Sequence, residues 1–187
     1  LNTIDLILIA FSITSSAFSL AIVSNVQKCL SVFEKIRLIA LFTFIPLSML
    51  WLGYWLGVMI RTLLNWNNEW ILVVLLMIVG IRMMKRSYQL LPENRSYHYG
   101  KFKVIFVLSI ALGLQASIIG IGFAFSVVAL NLFMGLMMAF GILMNLFGIV
   151  IGKRSGNFQW GNKIHFLGGV LLTGLALKQM IYLLGIL

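Results

Sequence analysis

The feature that most narrows the possible folds is a long stretch of chain without a charge: from Val104 to Gly152 there is no Asp, Glu, Lys or Arg. One apolar crossing of a bilayer takes roughly 20 residues, so this run is too long for one span and suits two. Lipid offers no partner to backbone N–H and C=O groups, so apolar runs of this length cross as helices, which satisfy those groups internally. Other charge-poor runs, broken by polar or basic segments, complete a set of six expected spans at about 4–24, 37–60, 69–86, 103–126, 129–151 and 165–186. The turn dividing the long run is expected near Val128–Asn131, with Asn131 as the turn residue. Composition points the same way, with 61% hydrophobic and 10% charged residues and a mean hydropathy of +1.07. The expected fold is all-α, a polytopic membrane protein forming a single transmembrane domain over residues 1–187. A signal peptide is not expected, because no basic residue precedes the first apolar run and five further spans follow. Cys29 stands alone, which excludes an internal disulfide and a cysteine metal cluster.

A net charge of +10 raises the question of nucleic acid, and the placement of the charges argues against it. With six spans, the loops after spans one, three and five share one side. Lys28, Lys35 and Arg37 fall in the first, Arg82, Lys85, Arg86, Arg95, Lys101 and Lys103 in or beside the second, and Lys153, Arg154 and Lys163 in the third. Only Arg61 and Lys178 remain for the other side. The positive-inside rule then makes loops 1–2, 3–4 and 5–6 cytoplasmic and puts both termini outside. The partner of this basic face is the anionic lipid bilayer.

Internal similarity suggests two halves. "WILVVLLMIVGIRMM" (Trp70 to Met84) matches "FLGGVLLTGLALKQM" (Phe166 to Met180) at an offset of 96, setting Arg82 against Lys178. "GYWLG" (Gly53 to Gly57) matches "GIVIG" (Gly148 to Gly152) at 95, and "SAFSLA" (Ser16 to Ala21) lies on "QASIIG" (Gln115 to Gly120) at 99. Repeat one covers about 1–88, repeat two about 103–187, and a cytoplasmic loop of about 87–102 joins them. Three spans per half is an odd number, so the second half enters from the opposite side, which is the inverted-repeat plan of many secondary carriers.

In such a plan the substrate site lies near the midplane, where the first spans of the halves meet. In span one, Ser12, Ser15, Ser16 and Ser19 fall within an arc of roughly 100°, one stripe of a helix turned away from lipid. Span four offers Gln115 and Ser117, followed by Gly120 and Gly122, a pair expected to loosen or thin the helix. Pro46 in span two cannot donate to the carbonyl of Phe42 and so frees an acceptor beside Thr43. Asn145 adds a polar group in span five. The candidate site is Ser16 with Gln115, supported by Ser12, Ser19, Ser117, Thr43 and Asn145; the plainer alternative is hydroxyls bonded back to their own helices and amides joining neighbours. Gly53, Gly57, Gly120, Gly122, Gly148 and Gly152 are expected to let helices pack closely. The acids Asp5, Glu34, Glu69 and Glu93 lie at span ends or in loops, so none is at mid-depth, where a hard divalent cation would seek carboxylate oxygen.

Several segments resemble the bacterial manganese efflux pump family, MntP-type proteins of the broader LysE-like transporter group: "AFSITSSAFSLAI", "WNNEWILVVLLMIVGIRMM", "LQASIIGIGFAF" and "FLGGVLLTGLALKQM". The resemblance covers nearly the whole chain. It implies six spans in two repeats in the bacterial plasma (inner) membrane, export of a divalent cation by alternating access, and ion-binding aspartates in spans one and four. Ser16 stands at the first aspartate position, Gln115 at the second, and the acid expected in span two is missing around Pro46. Besides export through neutral oxygens, two readings stay open: a degenerate, non-transporting relative with an interaction or regulatory role in the membrane, and a carrier of a different small substrate. The metal ligands and the oligomeric state stay open too.

Enzymatic activity is the least supported class and no cofactor is expected. His98 and His165 have no partner acid or nucleophile at a recognisable spacing and read as interfacial residues. The ten Met residues read as packing. Lys178 is expected to snorkel outward, and "RSYQLLPENRSYHYGKFK" (Arg86 to Lys103) to anchor the chain at the cytoplasmic leaflet.

Overall fold

The computed structural model describes residues 2–27, 31–64, 69–89, 102–126, 128–155 and 159–185. Cys29, His98 and most of the expected Arg86–Lys103 anchor lie outside the described residues. Within them the chain forms α1 (Thr3–Gln27), α2 (Val32–Leu64), α3 (Trp70–Gln89), α4 (Phe102–Ala124), α5 (Leu130–Ser155) and α6 (Gln159–Leu183). Five of these, all but α3, are long and apolar enough to cross a membrane. α3 has the length, but Arg82, Lys85 and Arg86 occupy its C-terminal half.

Several boundaries differ from the sequence reading. α2 has 33 residues, about 50 Å at 1.5 Å per residue, and overshoots the expected span at both ends. Its start is set by a reciprocal cap: Ser31 N–H donates to Glu34 Oε2 and Glu34 N–H to Ser31 Oγ. α2 continues through Pro46, and α4 runs unbroken through Gly120 and Gly122 to Ala124, so that pair does not loosen the helix. The chain turns just after Ala124, where Phe125 and Ser126 N–H close on Gly122 and Phe123 carbonyls. Asn131 is therefore not the turn residue but stands in the first turn of α5. α6 starts at Gln159, earlier than expected, because the polar segment before His165 still satisfies its backbone as helix.

Side-chain contacts fix the directions. Ile45 and Met49 meet Gly113 while Gly57 meets Ile121 and Ala124, so α2 and α4 are parallel. Phe18 and Ala21 meet Gly148 and Ile22 meets Gly152, so α1 and α5 are parallel. Against α6, both α1 and α3 are antiparallel: Ser12 lies by Gly168 and Ser19 by Gly161, and Gly80 lies by Thr173 while Ser87 donates to the Asn162 carbonyl. α3 also runs against α4, with Leu72 at Gly122 and Arg86 near Ala111. Helices α1, α3 and α5 thus run one way and α2, α4 and α6 the other. The start of α1 and the end of α6 meet, and there Lys178 Nζ reaches Asp5 Oδ1 at 2.6 Å. Lys178 does not simply project outward, because a carboxylate that is only 4% exposed lies within its reach.

The substantial packing joins helices of the first three to helices of the second three: α2 with α4, α1 with α5 and α6, α3 with α6 and α4, and α2 with α5. α1 is the centre. Of its most apolar stretch 78% is buried inside the protein, against 28–44% for the other membrane-length helices, whose outward faces carry exposed Trp51, Trp55, Phe106, Phe147 and Leu167. The expected hydroxyl stripe is accordingly buried: Ser12, Ser15, Ser16 and Ser19 are each at most 4% exposed.

Candidate functional site

Most of the serine stripe faces α6. Gly161 and Gly168 are two turns apart, as are Ser19 and Ser12, and the two pairs meet because α1 and α6 are antiparallel. A Cβ on Gly161 would lie 3.0 Å from Ser19 Oγ, and one on Gly168 would lie 3.0 Å from the Ser12 carbonyl and collide with Ser15 Oγ. Ser12 Oγ donates to the Leu8 carbonyl and Ser15 Oγ to the Ser12 carbonyl, so these hydroxyls are spent on their own helix. Ser19 Oγ is buried without a partner.

Ser16, at the edge of the stripe, faces elsewhere. It lines a cavity of about 10 Å³ at the meeting of α1, α2, α4 and α5, together with Thr14, Phe42, Thr43, Pro46 and Gly141. That is room for one water-sized species. The wall is mostly apolar, with Ile13, Ala17, Leu112 and Met137 beside the three hydroxyl residues. Ser16 Oγ donates to the Ile13 carbonyl at 2.6 Å and Thr14 Oγ1 to the Ala10 carbonyl at 2.9 Å. With their hydrogens directed into the helix, both hydroxyls keep lone pairs for an electrophile. Pro46 has no N–H for the carbonyl of Phe42. From α5, Asn145 Nδ2 donates to the Gly141 carbonyl at 2.8 Å and reaches Thr43 Oγ1 at 3.4 Å, while its Oδ1 has no partner. The structure therefore brings Ser16, Thr43 and Asn145 together.

Gln115 lies in a different place. It lines a second cavity of about 10 Å³ with Arg82, Met83, Arg86, Ala111 and His165, and its Nε2 is buried without a hydrogen-bond partner. Leu112, one turn earlier, reaches the wall of the Ser16 cavity. Ser117 belongs to a helix contact: its Oγ donates to the Leu114 carbonyl, and its own carbonyl is where a Cβ on Gly53 would collide. Thr14, Gly141, Gly161 and Gly168 were not among the sequence candidates. A seven-residue glycine spacing matching the seven residues from Ser12 to Ser19 was the available signal for the last two. Among the described residues, no three His, Cys, Asp or Glu side chains come together to hold a metal.

An all-helical bundle with five membrane-length helices and a small cavity between four of them, lined in part by hydroxyl residues, defines a multi-pass membrane protein. The profile of the family described as "Putative manganese efflux pump" matches residues 29–180, and the chain belongs to that family. Curated proteins bearing that family's name are similar over almost their full length. The protein from Methanosphaera stadtmanae is 28% identical over 183 residues, covering 95% of this chain and 98% of the relative. That from Methanobrevibacter smithii is 28% identical, covering 96% and 97%, and that from an Enterobacter species is 28% identical, covering 94% of each. No solved structure matches the chain.

Proposed function

We propose that this protein exports manganese(II) across the plasma membrane by alternating access, with the ion passing through the cavity of Ser16, Thr43 and Asn145. The observation that carries the proposal is that three hydroxyl residues, Ser16 and Thr14 of α1 and Thr43 of α2, line one small cavity beside Pro46, which has no N–H to give the carbonyl of Phe42. Manganese(II) accepts oxygen ligands of this kind. With no carboxylate in the wall the ion is held weakly, which favours release over storage. Asn145 orients the Thr43 hydroxyl. Gln115, at the position equivalent to Ser16 in the second half, faces its own cavity and is not a co-ligand of Ser16. Ser12, Ser19 and Ser117 support helix packing around the site.

Alternating access requires two halves that can rock, and matched contacts support an inverted repeat. Gly53 packs on Ser117 and Gly148 on Phe18; Gly57 packs on Ile121 and Gly152 on Ile22. The offset of 95 carries Gly53 to Gly148 and Gly57 to Gly152, and the offset of 99 carries Phe18 to Ser117 and Ile22 to Ile121. These two α2–α4 contacts thus have α1–α5 counterparts. Together with the opposite course of α1 and α4, this supports two halves related by an axis in the membrane plane. The distribution of basic residues supports cytoplasmic loops 1–2, 3–4 and 5–6 and external termini.

Expression in a manganese-sensitive strain lacking its exporter tests the proposal. Wild type is expected to restore growth in manganese, and Ser16→Ala/Thr43→Val to lose that rescue while still inserting in the membrane. Failure of the wild type combined with rescue by Ser16→Asp/Gln115→Asp would overturn export by this chain and leave a scaffold whose ligands are gone. Failure of both would favour a non-transporting role.

A further inference from the structure

A larger cleft, of about 590 Å³, opens between α3 and α4 and has no part in that reading. Arg82, Lys85 and Arg86 line it from α3, at the spacing that puts them on one helix face. Ile78 and Ile81 continue the same face, with Leu114 opposite on α4. Among the described residues, no acidic side chain lines the cleft.

The contact of α6 with α1 offers a contrast. There the repeat counterpart of Arg82 is Lys178, and it is neutralised by Asp5 at 2.6 Å. Arg82 lies instead beside Ala111, Leu114 and Gln115 of α4, none of them acidic.

The inner end of the cleft adds further hydrogen-bonding groups. Arg82 and Arg86 also line the small cavity that holds Gln115 and His165. Gln115 Nε2 and His165 Nδ1 are both buried there without partners, in residues only 8% and 3% exposed. Guanidinium, ammonium and amide NH₂ groups are all donors. A wall of this kind repels a cation and suits a phosphate, which arginine can grip with two N–H groups at once. The outer wall is apolar and open to the side: Ile78 is 51% exposed and Leu114 50%. A soluble anion has no use for that surface, whereas an acyl chain does, and basic pockets between membrane helices are known lipid-headgroup sites.

We infer that the cleft between α3 and α4 binds the phosphate headgroup of an anionic membrane lipid, with Arg82 and Lys85 on the phosphate and Ile78, Ile81 and Leu114 along an acyl chain. The test is binding of phosphatidylglycerol to the full chain in a neutral detergent, followed by native mass spectrometry, with phosphatidylcholine and inorganic phosphate as separate arms. Saturable binding of phosphatidylglycerol is expected, with at least tenfold weaker binding in Arg82→Gln/Lys85→Gln. Lys103→Gln/Lys163→Gln, which removes the same charge from exposed positions elsewhere, is expected to change affinity less than twofold. Equal weakening by both pairs would reduce the effect to net charge and overturn the site. Unchanged binding in Arg82→Gln/Lys85→Gln would overturn it too, and saturable inorganic phosphate with no preference for phosphatidylglycerol would make the cleft a soluble-anion site instead. Should Arg82→Gln/Lys85→Gln not fold, Leu114→Trp decides. It fills the apolar side with the charges in place, so it is expected to weaken phosphatidylglycerol at least fivefold, and unchanged affinity would overturn the proposal.

Discussion

Lys178 Nζ donates to Asp5 Oδ1 across 2.6 Å, tying the last turns of α6 to the first turn of α1. The carboxylate is buried and the lysine side chain is 53% exposed, so solvent screens the pair from one side and its net value is small. Losing one partner matters more than the pair's own strength, because Lys178→Met leaves Asp5 with only the Asn2 N–H. Lys178→Met is expected to cost about 1 kcal/mol and to lower the Tm in detergent, with Asp5→Asn/Lys178→Met recovering most of the loss. A double variant no more stable than Lys178→Met would remove the ion pair from this account.

The α2–α4 contact is expected to be the least tolerant of added volume. A Cβ on Gly53 collides with the Ser117 carbonyl, and one on Gly120 collides with the Leu50 carbonyl, so the obstacle is backbone and cannot swing aside. Gly53→Val and Gly120→Val are each expected to destabilise by about 1–3 kcal/mol or more. Gly174, in a helix with open space around it, provides the contrast: Gly174→Ala is expected to be neutral or stabilising by up to about 1 kcal/mol. Thermal unfolding of the purified variants checks the order.

Asn25 bridges α1 and α5 through Nδ2 to the Ile149 carbonyl at 2.7 Å, in a buried setting. Interhelical bonds of this type in membrane proteins contribute about 0.6 to 1.7 kcal/mol. Asn25→Leu is therefore expected to lower stability by about 1 kcal/mol, and an unaltered unfolding midpoint would show that the bond contributes nothing net.

At the proposed ion path, Thr43→Val keeps shape and removes one oxygen. It is expected to slow manganese efflux from loaded cells at least fivefold. Ser48→Ala, on the same helix with its hydroxyl exposed and bonded to the Ile45 carbonyl, is expected to leave efflux within twofold. Equal rates in Thr43→Val and wild type would exclude Thr43 from the path.

The helices were legible because bilayer thickness sets a length and excludes charge: the six expected segments overlap the six helices, five of which are of membrane length and apolarity. The close packing of Gly53, Gly57, Gly148 and Gly152 against neighbouring helices was legible as well, in two glycine pairs of equal spacing. Individual neighbours were not. In lipid, apolar faces are nearly interchangeable and only close backbone approach separates one pairing from another. The serine stripe showed that α1 turns away from lipid, but not that Ser12 and Ser19 meet glycines of α6 while Ser16 alone turns to Thr43.

The sequence by itself determined the solvent in which this chain folds, the number and approximate length of its helices, and the absence of acids at mid-depth, because these follow from transfer free energies summed along the chain. Tertiary structure decided which polar atoms meet. Ser16 and Gln115 can be aligned in the sequence, yet one shares a cavity with Thr43 and the other with Arg82 and Arg86, because each helix contacts a different set of neighbours around its circumference.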